Sequence, residues 1–279
     1  MTDMEEFLII GHRGSRGLKP ENTIPAFLKA VKLGARGLEM DLYVTKDGQV
    51  VVTHDATISA ELCLSPEGSP LKEEKSKRLK IYELNLKDIK PFDCGSEPNP
   101  DFPEQENTEA HIPLLGEVVE AIRRTGSTGN AVHYFIEFKS APENDGIYHP
   151  EPKVFARKVV EAVREKDIQQ QSTLMSFDKR CLQEVRKLAP EIRIGIPVTD
   201  KNELKNEIDQ LGFTPNAIFP HFAEIDENLM AFADEHKLGV FPWTVNQVPE
   251  MEQVLQYNVS GLITDYPDKA LKLVNGRRI

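Results

Sequence analysis

At 279 residues, 39% of them hydrophobic and 28% charged, the chain is long enough for one large α/β domain and too ordinary in composition for a disordered or fibrous protein. Its 34 basic and 45 acidic residues leave a formal charge of -11, which argues against a general nucleic-acid or anionic-membrane binder, because either would present a net basic surface. Cys63, Cys94 and Cys181 are odd in number, widely spaced and without a CxxC pair, so reduced thiols are expected rather than a disulfide framework or a zinc-thiolate site. The acidic start, MTDMEEFLII, carries an apolar run too short for a signal segment. No later stretch approaches the roughly 18 apolar residues of a membrane span. A cytoplasmic protein without integral membrane association is expected.

Short β-branched or apolar runs alternate with amphipathic stretches nearly throughout, as in βα units around a parallel sheet. Strands are expected at about 7–10, 37–44, 132–138, 172–176, 193–197, 217–220, 239–244 and 261–264. Helical stretches lie between them, among them TIPAFLKAVKLGA, capped by Asn22 or Thr23, then PLLGEVVEAIRR, KVFARKVVEAVREK and DENLMAFADEHK. Strands alternating with helices in this way favour a single α/β domain over residues 1–279, closed into a (β/α) barrel rather than an open doubly wound sheet.

The first strand runs into GHRGSRGLKPENT, where Gly14 and Gly17 let the backbone approach a ligand and His12 and Arg13 stand at the strand's C-terminal end. The second strand, GLEMDLYVT, alternates so that Leu38, Met40 and Leu42 share one face and Glu39, Asp41 and Tyr43 the other. Glu39 and Asp41 are thereby about 7 Å apart and need a compensating cation. Asp47-Gly48 signals a two-residue hairpin pairing Lys46 with Gln49, which would set His54 opposite Asp41. Residues 55–111, rich in charge, Pro and turn residues, look like an insertion over the C-terminal face, with a short helix around IYELNLKDIK.

The next strand, VHYFIEFKS, places His133, Phe135, Glu137 and Lys139 on one face. Glu39, Asp41 and Glu137 form an all-oxygen donor set suited to a hard divalent cation, Mg²⁺ or Ca²⁺. An Arg and a Lys beside such a cation suit a phosphate, and two histidines flanking a phosphodiester can divide general acid and general base duties.

The fragments HRG, PENT, EMD, TKDG, THD, IEFK, WTVN and GLITDYPD resemble, in this order and across nearly the whole chain, the glycerophosphodiester phosphodiesterase family. The resemblance implies a TIM barrel with a small insertion after the second strand. It also implies metal-dependent cleavage of deacylated phospholipids such as glycerophosphocholine to glycerol 3-phosphate and an alcohol. Carried over residue by residue, it makes His12 and His54 the acid/base pair and Glu39, Asp41 and Glu137 the metal ligands. Arg13 and Lys139 fall to the phosphate and Trp243 to the substrate mouth. Attack by the substrate's own neighbouring hydroxyl, through a cyclic phosphate, is the implied chemistry, and no serine or cysteine motif offers a protein nucleophile instead. A lyase that stops at the cyclic phosphate, a lysophospholipid phosphodiesterase and a catalytically silent binding module are the alternatives on the same fold.

Each residue also has a plainer role. Arg13 could tie the rim by a salt bridge, Trp243 could pack in the core, and Arg16 and Lys19 could be solvated loop charges. His133 sits deeper on the inward face, where a hydrogen-bonded core role fits. His111, His149, His221 and His236 are given no function, and Asp265 is read as a rim or helix-capping group.

Overall fold

The computed structural model describes residues 7–126 and 132–277; the acidic start, residues 1–6, lies outside them. In chain order the elements are β1 (Leu8–Gly11), α1 (Ile24–Leu33), β2 (Gly37–Val44), β3 (Val50–Val52), α2 (Glu73–Ser76), α3 (Leu86–Ile89), α4 (Leu115–Arg124), β4 (His133–Phe138), α5 (Pro152–Glu165), β5 (Ser172–Met175), α6 (Lys179–Leu188), β6 (Arg193–Val198), α7 (Leu204–Leu211), β7 (Ala217–Pro220), α8 (Glu227–Glu235), β8 (Gly239–Val240), α9 (Val248–Val254), β9 (Gly261–Thr264) and α10 (Pro267–Arg277). Among the described residues no helix is long and apolar enough to cross a membrane.

The strands join in the order β8-β7-β6-β5-β4-β2-β1-β9, all parallel, with β3 as an antiparallel spur on β2. The ring closes between β8 and β9 through irregular chain: Ile263 N–H donates to Pro242 O and Val245 N–H to Ile263 O, both at 2.9 Å. Regular strand expected over 239–244 is therefore confined to Gly239–Val240. Pro242 has no N–H to give a ladder, which accounts for the early end.

Period-two alternation sorts the side chains of each strand. Leu38, Met40, Leu42, Tyr134, Ile136 and Phe138 point outward into the main core, under the apolar faces of the surrounding helices. Leu8, Ile10, Phe135, Met175, Phe219, Phe241 and Ile263 fill the barrel interior. Phe135 contacts Phe219 and Phe241 with ring centres 5.8 and 5.2 Å apart, a solid floor beneath the C-terminal mouth. Helix α1 starts at Thr23, whose side chain accepts from Ala26 N–H, and stops at Gly34 in the left-handed region at φ 110°.

Two expectations are corrected. The β2–β3 register pairs Leu42 with Val52, so Thr53, not His54, lies opposite Asp41, and Thr53 N–H donates to Asp41 O. The turn holds three residues rather than two: Thr45 N–H bonds Gln49 O, and Gly48 takes φ 77°. A type I turn followed by a left-handed glycine adds one residue to the arm. The second correction is a disulfide between Cys63 and Cys94. Its partners are 31 residues apart and meet because the insertion folds back, with Leu64 N–H bonded to Asp93 O. No local spacing in the sequence announces such a pairing.

The insertion has a small core of its own, in which Tyr43 and Val51 from the barrel meet Ile58, Leu71, Ile81, Ile89, Phe92 and Ile112. IYELNLKDIK folds as a 3₁₀ turn, Ile81–Glu83, and the single turn of α3. So small a core gains most from a covalent staple. Opening the 31-residue loop by reductant or by Cys94→Ser is expected to lower the unfolding free energy by about 3–4 kcal/mol. The check is thermal melting with and without reductant, beside thiol titration of the unfolded chain, which should show one free thiol, Cys181, before reduction. Three titratable thiols and unchanged melting would contradict the bond.

Candidate active site

All eight residues singled out from the sequence, His12, Arg13, Glu39, Asp41, His54, Glu137, Lys139 and Trp243, line one cavity of about 260 Å³ at the C-terminal mouth of the barrel. The β2–β4 register places Glu39 beside Phe135 and Asp41 beside Glu137. Glu39, Asp41 and Glu137 each bring a carboxylate oxygen to within 4.8 Å of the others, and both β2 carboxylates are only 2% exposed.

Such a cluster survives burial only with partners. Arg13 N–H donates to Glu39 Oε2 at 2.8 Å, and the Arg13 guanidinium lies 3.3 Å from Asp41 and 2.6 Å from Glu21. Asn22 Nδ2 donates to Asp41 at 2.9 Å. Lys139 Nζ lies 3.1 Å from Glu137 and 3.7 Å from Asp41. Burial opposes the charge on Asp41, yet Arg13, Lys139 and Asn22 hold it below the usual carboxylate range. Glu39 goes the other way: burial, then repulsion from Asp41 and Glu137, raises it well above its ordinary value. Burial likewise raises Glu137 against the pull of Lys139. Glu39 and Glu137 thus ionise less readily than free carboxylates, and Asp41 more readily.

The two histidines are oriented through the same ring atom. His12 Nδ1 lies 2.6 Å from Asp265 Oδ1, and Asn246 Nδ2 donates to the other Asp265 oxygen at 2.7 Å. Burial works against Asp265, but the bonds from His12 and Asn246 keep it below the usual range. An ionised carboxylate only accepts, so His12 carries its proton on Nδ1 and leaves Nε2, 3.8 Å from Glu39, for the cavity. His54 Nδ1 is 2.9 Å from Asp55, which the His54 bond holds below the usual range.

Asp265, Asn246, Asp55, Glu21 and Asn22 were not picked out as site residues from the sequence. A signal for Asp265 existed: in a closed ring the last strand lies beside the first, and the observed register of Gly11 with Thr264 makes His12 and Asp265 neighbours. Arg16 is held by Glu21, and Lys19 pairs with Glu106 at 3.1 Å, as loop charges would. His149 is buried away from the cavity, with Nε2 3.0 Å from Ala141 N and Nδ1 3.0 Å from Pro150 O.

Residues 12–269 match the sequence profile of the Glycerophosphoryl diester phosphodiesterase family. A glycerophosphodiester phosphodiesterase of Caldanaerobacter subterraneus subsp. tengcongensis is 31% identical over 267 residues, 96% of this chain and 97% of that one. A Silicibacter pomeroyi crystal structure assigned as a glycerophosphoryl diester phosphodiesterase superposes with a TM-score of 0.87 at 26% identity, covering 98% of this chain and 94% of that one. An Oleispira antarctica phosphodiesterase, solved with its product sn-glycerol-3-phosphate, shares the fold with a TM-score of 0.75 at 22% identity over 96% of each chain. With profile and relative both spanning nearly the whole barrel, the chain belongs to the glycerophosphoryl diester phosphodiesterase family and is a phosphoric diester hydrolase.

Proposed function

We propose that the chain, acting as one catalytic barrel, hydrolyses small glycerophosphodiesters such as glycerophosphocholine to glycerol 3-phosphate and an alcohol, with His12 and His54 sharing the proton transfers. The observation that carries this is the convergence on one cavity of two carboxylate-oriented histidines, a buried acidic cluster, Arg13 and Lys139.

Glu39, Asp41 and Glu137 would hold a hard divalent cation, Mg²⁺ or Ca²⁺, since the donors are all oxygen and carry more negative charge than Arg13 and Lys139 balance. When bound, the cation supplies Lewis-acid relief of the charge on the diester oxygens. Arg13 and Lys139 exchange part of their carboxylate contacts for phosphate oxygens. His12, with its Nδ1 proton fixed by Asp265, works through Nε2. His54, turned by Asp55, is its counterpart. One takes the proton of the attacking hydroxyl, which the family resemblance assigns to the substrate's own glycerol, and the other protonates the departing oxygen. Water opens the cyclic phosphate with the roles exchanged.

His12→Ala and His54→Ala should each lower kcat by about 10²–10⁴-fold, measured as glycerol 3-phosphate release. Asp265→Ala should cost about 10–100-fold while leaving KM nearly unchanged, because it frees the ring without removing it. Near-wild-type release by either alanine variant of the histidine pair would exclude two-histidine catalysis. Chelator should stop turnover, and added Mg²⁺ or Ca²⁺ should restore it.

Metal binding should also be visible without turnover. In the metal-free protein Glu39 and Glu137 titrate above their unfolded values, so their contribution to stability is fully present below those values and is lost as pH rises through the raised ones. Asp41, held low, loses its contribution only in acid, below this interval. The melting temperature of the metal-free protein should therefore fall as pH rises above the usual carboxylate range, and stabilisation by added cation should grow in the same direction. Glu39→Gln should flatten both trends; a pH-independent response to metal in the wild type would contradict the assignment.

A further inference from the structure

The charged side chains of the cavity come from the ends of β1, β2 and β4 and from His54, whereas Met175, Phe177, Pro197, Phe219, Trp243 and Ile263, from β5 round to β9, form an apolar wall along the rest of the ring. Its one side-chain hydrogen-bonding group, the Trp243 indole N–H, is already donated to Phe219 O at 2.6 Å. Phe177 stands at the mouth with 48% of its surface exposed, and its ring meets that of Trp243 edge to face, centres 6.3 Å apart and planes at 86°. The exposure is imposed rather than loose, because both neighbours of Phe177 are buried and bonded. Ser176 Oγ donates to Phe138 O at 2.9 Å. Asp178 accepts from Ser140 Oγ at 2.7 Å and from Arg180, which also grips Asp145 at 2.6 Å. Phe177 and Trp243 together thus present two aromatic rings at the cavity.

We infer that Phe177, with Trp243, is the specificity-determining element for the departing alcohol: an aromatic corner that receives a quaternary ammonium and favours choline esters over ethanolamine esters. The inference rests on the phosphodiester hydrolysis proposed above. Glycerol hydroxyls placed against this wall would lose their hydrogen bonds to water and gain none, so the glycerol lies on the charged side of the cavity and the alcohol faces the wall. A primary ammonium there would leave N–H donors without acceptors. A trimethylammonium has no N–H and presents its methyl groups to the ring faces, where the π-quadrupole attracts the charge. The overall charge of -11 adds a negative potential that favours a cation over a neutral alcohol. A volume of about 260 Å³ lies below the usual range of roughly 300–1,000 Å³ for drug-sized ligands, which suits a compact headgroup better than an acyl chain.

The test is kcat/KM for glycerol 3-phosphate release from glycerophosphocholine, glycerophosphoethanolamine and the neutral 3,3-dimethylbutyl isostere of the choline ester, with wild type, Phe177→Leu and Phe177→Tyr. Wild type should prefer the choline ester over both others by about tenfold. Phe177→Leu, which keeps apolar bulk but removes the ring, should erase most of that preference, and Phe177→Tyr should retain it. Equal rates for the choline ester and its neutral isostere in the wild type would overturn the inference. So would a Phe177→Leu loss that is the same for all three esters, since the ring would then pack against the shared glycerol. Failure of the wild type to release glycerol 3-phosphate from any ester, with metal supplied, would instead overturn the phosphodiester hydrolysis itself and this inference with it.

Discussion

Two carboxylates on successive inward positions of a buried strand repel each other, and the architecture of this barrel mouth follows from how that repulsion is met. Glu39 and Asp41 cannot turn away, because Leu38, Met40 and Leu42 lock β2 into the main core. Compensation must therefore come to them. The β1–α1 loop delivers it by bending twice into the left-handed region, at Arg13 with φ 47° and Asn22 with φ 55°. Side chains other than glycine take up that conformation at a cost. Here it aims the Arg13 N–H at Glu39, and the Asn22 amide reaches Asp41. Gly14 lies in the same bend, and at φ 90° a Cβ there would come within 2.8 Å of Ala26.

The insertion completes this arrangement from both of its ends. At its start the β3 arm presents His54 directly after Thr53, which is bonded to Asp41 O. At its far end the chain returns across the β1–α1 loop: Gln105 Nε2 donates to Arg16 O at 2.6 Å, Glu106 N–H to Leu18 O at 3.0 Å, and the Arg16 guanidinium lies 4.6 Å from the centre of the Phe102 ring. The inserted segment thus begins directly after one histidine of the proposed pair and braces the loop that carries the other. Its small core and its disulfide bear on catalysis for that reason, and not only on stability.

Much of this was legible in the sequence because alternation is a local property. GLEMDLYVT and VHYFIEFKS declare their inward faces without reference to any distant residue, so the acidic cluster and Lys139 could be read from those strands alone. What could not be read depended on closure and on fold-back. A one-residue difference in the β2–β3 turn moved His54 off the partner expected for it, although it still lines the cavity with Asp41. Cys63 and Cys94 meet only when the insertion folds back on itself. Asp265 meets His12 only because β9 closes the ring against β1.

That last contact makes the two histidines unequal. The partner of His12 is a buried carboxylate, 3% exposed, fixed in turn by Asn246, whose Oδ1 accepts from the Asp265 backbone N–H at 2.9 Å. Backbone bonding of His12 N–H to Thr264 O at 2.9 Å anchors it further to the closed ring. His54 leans on its sequence neighbour Asp55, whose side chain is 44% exposed, at the root of the insertion. Loosening the insertion therefore displaces His54 more than it displaces the His12 ring, whose tautomer is set by the barrel. Within the proposed pair, the barrel fixes one proton-transfer group and the insertion positions the other against it.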